Sequence, residues 1–238
     1  VNTGGRGGRR ALQGLQREFK VLSKLNHPGI PKAHCLHRLA DCACMVMDFC
    51  AGQSLRKLIR AEPGKVNRMI PDLLERSGQI LQHMHDHGFV HRDFKPENLM
   101  VDGDCSVSLV DMALTWQRRM LGGKPQLAGT PAYMAPELLS GKSPSFATDT
   151  FAYAATAYEL LAGRPPYEGH SREETLRAVS RGGAKPPSSR NATVPAELDR
   201  LVMQGLARKP GDRPKNLVLY GKRLAARFRA GTPSPAPR

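Results

Sequence analysis

His91-Arg92-Asp93-Phe94-Lys95-Pro96-Glu97-Asn98 brings a carboxylate, an ammonium and a carboxamide together within eight residues. An aspartate can take a proton from a hydroxyl, a lysine two residues on can offset negative charge, and an asparagine can offer its oxygen to a hard cation. A polar turn after a helix is the plain alternative, and the rest of the chain argues against it. Downstream come Val110-Asp111-Met112-Ala113, then Gly129-Thr130-Pro131-Ala132-Tyr133-Met134-Ala135-Pro136-Glu137, then an apolar helical stretch carrying Asp149, then Gly211-Asp212-Arg213-Pro214. The order of these segments discriminates better than any one of them.

Together they resemble the protein kinases. The first stretch is similar to the catalytic loop H-R-D-L-x-x-x-N, with Phe94 in place of Leu, and Asp111 falls at the aspartate of D-F-G. The resemblance implies phosphoryl transfer, in which a protein mainly positions groups and neutralises charge. Asp93 would orient the substrate hydroxyl, Lys95 would balance charge on the phosphoryl group, and Asn98 and Asp111 would hold Mg2+ on the phosphates of ATP. The segment from Gly129 to Glu137 resembles the stretch ending in A-P-E, with Thr130 facing the substrate loop as in the Ser/Thr branch. Asp149 would steady the catalytic-loop backbone, and Arg213 would pair with Glu137 as structural support.

Met45-Val46-Met47-Asp48-Phe49-Cys50-Ala51-Gly52-Gln53-Ser54-Leu55 is an apolar strand pattern running into a turn and a helix. It resembles a kinase hinge. On that resemblance Met47 is the gatekeeper, the backbones of Asp48 and Cys50 meet the adenine edge, and Met100 packs beneath the purine. Both methionines also suit ordinary core filling. Earlier, Arg17 to Ile30 has apolar residues at helical spacing and stops at a Pro-Gly turn. It is similar to the small-lobe helix whose glutamate, here Glu18, pairs with a lysine of the third strand.

Only seventeen residues precede Glu18, and they contain neither lysine nor a G-x-G-x-x-G pattern. The resemblance therefore implies an α+β, protein-kinase-like fold, mainly the helical C-lobe with a truncated N-lobe. The expected organisation is a flexible Gly/Arg-rich start over 1–17, a kinase domain over 18–228 and a disordered tail or linker over 229–238. Within the domain, 18–47 would be the partial N-lobe, 48–55 the hinge and 56–228 the C-lobe. A start at Val1 points to truncation or an alternative start. Met112 can fill the space of the usual phenylalanine, whereas Ala113 in place of glycine restricts the backbone.

The net charge of +15 raises a nucleic-acid-binding alternative. The basic residues are spread along the chain, however, and the densest patch, Lys222 to Arg229, fits a solvated face of a last amphipathic helix. Aromatics at 5% are too sparse for a base-stacking platform. The five cysteines form no C-x-x-C, so reduced thiols in a cytoplasmic protein are expected. His83, His85 and His87 are not expected to be ligands. No apolar leader opens the sequence, and Phe146 to Leu161, bounded by Gly163, carries Asp149 and Glu159 and does not suit a membrane span. Arg-, Ala- and Gly-rich composition points to a bacterial source.

The expected activity is transfer of the ATP γ-phosphate to Ser/Thr hydroxyls of protein substrates in signalling. A pseudokinase scaffold without phosphotransfer is the alternative. Between Asp111 and Glu137 the hydroxyls are Thr115, Thr130 and Tyr133, so phosphorylation there is expected to be absent or confined to Thr115. Glu97 would attract basic substrates, while Ser54 stands where basophilic relatives carry an acid, leaving sequence preference open.

Overall fold

In the computed structural model, residues 1, 5–117 and 127–231 are described. The chain opens with helix α1 (Gly5–Leu22), followed by the antiparallel pair β1 (Ala33–Arg38) and β2 (Ala43–Met47). Its start corrects the expectation of a flexible segment over 1–17. From Gly5 onward those residues are helical, and Phe19, Val21 and Leu22 lay the last turn of α1 on the core. The glycines suggested flexibility, but the Arg-, Leu- and Gln-rich remainder favours helix. Val1 lies against β2, where its carbonyl accepts from Ala43 N at 2.9 Å.

A short strand β3 (Gln53–Ser54) leads into helix α2 (Leu55–Ala61), which Ser54 caps by accepting from Lys57 N. Helix α3 (Pro63–Asp86) buries Val66, Met69, Ile70, Leu73, Leu74, Ser77, Ile80, Leu81 and Met84 along one face. Helix α3 runs through Pro71. A proline inside a helix costs about 3 kcal/mol; Pro71 is itself buried, and packing of this face offsets that cost. Strands β4 (Phe89–Val90), β5 (Leu99–Val101), β6 (Val107–Leu109) and β7 (Trp116–Gln117) follow. They form a β3-β5-β6 sheet and a β4-β7 pair, with Leu99 opposite Leu109 and Val90 opposite Trp116. Both small sheets frame the stretch from His91 to Asn98.

The rest is helical: α4 (Pro136–Leu139), α5 (Phe146–Ala162), α6 (Arg172–Arg181), α7 (Ala196–Gly205) and α8 (Leu217–Gly231). Helix α5 is almost wholly buried. Ser145 and Thr148 form its capping box, and Gly163 ends it in the left-handed region at φ 77°. Helices α3 and α8 approach closely where each carries a glycine. A Cβ on Gly78 would lie 2.6 Å from Leu217 O, and one on Gly221 would lie 2.7 Å from Leu74 O. The basic face of α8 pairs with acids of neighbouring helices, Arg227 with Glu197 at 3.0 Å and Arg229 with Glu75 at 2.6 Å. Residues 229–231 end α8 and are not part of a tail; residues 232–238 lie outside the described residues. Among the described residues no helix is long and apolar enough to cross a membrane.

Arg213 is the most heavily bonded cation of the helical body. Its Nη1 and Nη2 donate to the two Glu137 carboxylate oxygens at 2.7 and 2.8 Å, and its Nε donates to Ala207 O at 2.8 Å. The guanidinium also sits 5.0 Å from the Phe151 ring centroid. Both side chains are nearly inaccessible, so removing one charge strands the other in the interior. Arg213→Ala is expected to lower unfolding free energy by about 3–5 kcal/mol in urea titration; a loss no larger than that of a surface arginine would contradict the assignment.

Candidate active site

The site begins with a carboxylate that touches nothing outside the protein. Asp149 lies in the first turn of α5 and is 0% exposed. Its Oδ2 accepts from His91 N and contacts His85 Nε2, both at 2.8 Å, while its Oδ1 accepts from Arg92 N at 2.9 Å. Arg92 has φ 73°, a left-handed conformation unusual for a non-glycine residue. Two backbone bonds to a buried, fixed carboxylate hold that turn and so set the direction of the next residue.

That next residue is Asp93. Its Oδ2 accepts from Lys95 Nζ at 2.6 Å, and its Oδ1 accepts from Thr130 N at 3.0 Å and Thr130 Oγ1 at 3.1 Å. Lys95 Nζ also donates to Thr130 Oγ1 at 2.7 Å. Asn98 Nδ2 donates to the Asp93 carbonyl at 2.9 Å. The fold therefore brings Asp93, Lys95, Asn98 and Thr130 into one hydrogen-bonded group, although Thr130 is thirty-seven positions from Asp93. Phe94, between them, is fully buried and anchors the loop in the core.

Asp111 stands beside this group. Val110 N donates to Asn98 O at 2.9 Å, setting the two segments side by side, and Asp111 itself has φ 65° and is exposed. Met112 is completely buried, filling the space beneath it, and its N–H donates to Glu18 Oε1 at 3.1 Å. Ala113 does not adopt a positive φ here, so its side chain is accommodated without strain in this conformation. Burial pushes the Glu18 carboxyl above its ordinary value; the Met112 N–H pulls it down, and nearby Asp111 pushes it up. Asn98 and Asp111 present oxygen donors of the kind magnesium takes, in a site where one or two protein ligands normally share the ion with phosphates. The donor chemistry fits that ion.

The other expected positions are more dispersed. Met47 ends β2, and Met100, in β5, is half-buried opposite both Ser54 and Ser108. Asp48 is exposed, its carboxylate accepting from Lys32 N and meeting His34 Nε2 at 2.7 Å. Cys50 lies on the same connection, and burial pushes its thiol up. Thr115 is buried at 3% exposure, its hydroxyl directed at the Met112 sulfur.

One constellation had no expectation attached to it. Arg56, in the first turn of α2, donates through Nε to Glu97 at 2.8 Å and through both terminal nitrogens to Glu159, with Nη2 also on the Tyr133 hydroxyl. Tyr133 OH donates in turn to Glu159. These residues lie in four separate segments, and only the Glu97 position beside Asn98 carried a local signal.

The sequence comparisons agree with this geometry. The chain belongs to the protein kinase domain family, whose profile matches residues 6–220. It is 27% identical over 232 residues to serine/threonine-protein kinase PknB of Mycobacterium tuberculosis (strain H37Rv), covering 94% of this chain and 37% of that protein. It is 28% identical over 207 residues to PknB of Mycolicibacterium smegmatis, covering 84% and 33%. To serine/threonine-protein kinase pkn3 of Myxococcus xanthus it is 29% identical over 234 residues, covering 91% and 42%. The chain thus spans well under half the length of these relatives. Its mixed helical and small-sheet architecture is the kinase-like α+β fold.

Three histidines accept backbone N–H bonds, an arrangement that only an unprotonated ring nitrogen supports. His27 Nδ1 accepts from Gly29 N at 3.0 Å, His83 Nε2 from Asn26 N at 3.3 Å and His91 Nδ1 from Asp93 N at 3.2 Å. Burial is the leading cause that lowers all three. The unfolded chain binds these protons near pH ~6.5 while the folded chain resists them, so stability drops as pH falls through that range. The melting temperature is expected to be lower at pH 5.5 than at 7.5, with His27→Asn reducing the difference; a flat profile would refute this.

Proposed function

We propose that this chain is the catalytic domain of a serine/threonine protein kinase, transferring the γ-phosphate of ATP to Ser/Thr hydroxyls of proteins. The observation that carries the reading is the bonded group of Asp93, Lys95, Asn98 and Thr130 beside Asp111, in a chain of the protein kinase family. Magnesium, held by Asn98 and Asp111, would neutralise phosphate charge when bound with the nucleotide. Every other contribution comes from the protein.

Asp93 would accept the hydrogen bond of the incoming hydroxyl and take its proton as the new O–P bond forms and the bond from the γ-phosphorus to the β,γ-bridging oxygen breaks, with ADP as the leaving group. Lys95, already 2.6 Å from that carboxylate, would lie close enough to offset charge on the phosphoryl oxygens. Asn98 commits its Nδ2 to the Asp93 carbonyl, which leaves its amide oxygen for the metal, with Asp111 as the second protein ligand. Thr130, bonded to both Asp93 and Lys95, would define the wall against which the substrate hydroxyl docks. Met47, the Asp48 and Cys50 backbones and Met100 would line the adenine side, and Glu18 would support the metal-binding turn through Met112. The cytoplasm, where thiols stay reduced, is the proposed compartment.

Asp93→Asn is expected to reduce phosphate transfer from radiolabelled ATP to a Ser- or Thr-containing peptide by about 10²-fold or more, while magnesium-dependent nucleotide binding persists. Nucleotide binding with no transfer by the unmutated protein would favour the scaffold alternative. No binding at all would remove the kinase reading.

The segment between Asp111 and Glu137 offers few acceptors for its own phosphorylation. Thr115 is buried, Thr130 is held by Asp93 and Lys95, and Tyr133 is buried on Arg56 and Glu159. Mass spectrometry after incubation with magnesium and ATP is expected to find Thr130 unmodified; stoichiometric phosphate there would contradict this arrangement.

A further inference from the structure

Two acids near the bonded group of Asp93 and Thr130 are both engaged from within the chain. Glu97 follows Asp93 by four residues and Glu159 projects from α5; Tyr133 follows Thr130 by three. Glu159 is only 2% exposed and Tyr133 only 4%, so this acid pocket needs a cation to be tolerated. The cation is Arg56, whose side chain is 17% exposed. Its three guanidinium nitrogens are spent on Glu97, Glu159 and Tyr133, leaving the outer face of Glu97 as the one acid surface the cluster turns outward. The neighbouring Ser54 caps α2 and adds no further acid.

Resting on the kinase reading above, we infer that Arg56 is a specificity-determining residue: it fills, from inside the chain, a subsite that would otherwise take a basic side chain flanking the phosphoacceptor. A guanidinium is bidentate and planar, and a carboxylate pair closed by one has no geometry left for a second. The protein therefore selects acceptors whose neighbours are neutral or acidic. Its net charge of +15 works in the same direction, attracting acidic segments and repelling basic ones. Because Arg56 joins α2 to the loop after Asp93 and to the turn after Thr130, the selection acts next to the acceptor and not at a remote docking groove.

The test uses peptides with one Ser or Thr that differ only in carrying Arg or Ala at each flanking position. The unmutated protein is expected to show no Arg preference at any position. Arg56→Ser is expected to favour Arg by about tenfold in kcat/KM at one or two positions, a gain of roughly 1.4 kcal/mol. Arg56→Ser/Glu159→Gln should lose that gain. An Arg preference in the unmutated protein, or none in a folded Arg56→Ser variant, overturns the inference. Because Arg56→Ser strands Glu159, its melting temperature is also measured with and without methylguanidinium. A rise confined to this variant supports the pocket, whereas failure to fold or to respond overturns it. If no peptide is phosphorylated by any form, the kinase reading is what fails. Calorimetric binding of the Arg peptide then decides the pocket: tighter binding to Arg56→Ser supports it, and equal binding rejects it.

Discussion

The Asp149 carboxylate is the constraint from which the site is built. It is buried, it belongs to an almost wholly buried helix, and it grips the backbone N–H groups of His91 and Arg92 together with the His85 ring. A carboxylate with this many donors has little freedom to rotate, so the turn it holds has little freedom to relax. The left-handed Arg92 is the visible cost, of order 1–3 kcal/mol for a non-glycine residue. What the strain secures is direction: Asp93 leaves the helical body facing Lys95 and Thr130, and Phe94 returns at once to the core.

The same economy of means recurs on the far side of α5. Arg213 and Glu137 close the end of the segment that carries Thr130, and Arg56 with Glu159 closes its middle. Two buried arginine–carboxylate pairs thus bracket a single stretch from Gly129 to Glu137. Buried pairs of this kind contribute little net stability against an apolar alternative, but they penalise any arrangement that separates them. The stretch is therefore specified by what misplacement would cost.

Much of this could be read from the sequence because the relevant signals are local. The eight residues from His91 carry their chemistry in fixed spacing, and α5 announces itself through an apolar run ending at Gly163. Helix α1 was hidden by its glycines, which weigh against helix individually, while the packing of Phe19, Val21 and Leu22 on the core favours it. The run of α3 through Pro71 was hidden for a related reason: packing overrode a local prohibition. Arg56 was invisible for a different one. Its partners are 41, 77 and 103 positions away, and nothing in the local pattern of α2 marks which of its basic residues turns inward.

The bond from Met112 N to Glu18 gives α1 a mechanical role. Helix α1 is a rod of eighteen residues, about 27 Å long at ~1.5 Å per residue. Glu18 sits near one end of it and Gly5 at the other. Any tilt of that rod must either drag the backbone next to Asp111 or break the bond, so the position of Asp111 is tied to the attitude of the helix. The helix is, in effect, a lever whose short arm rests on the turn at Asp111.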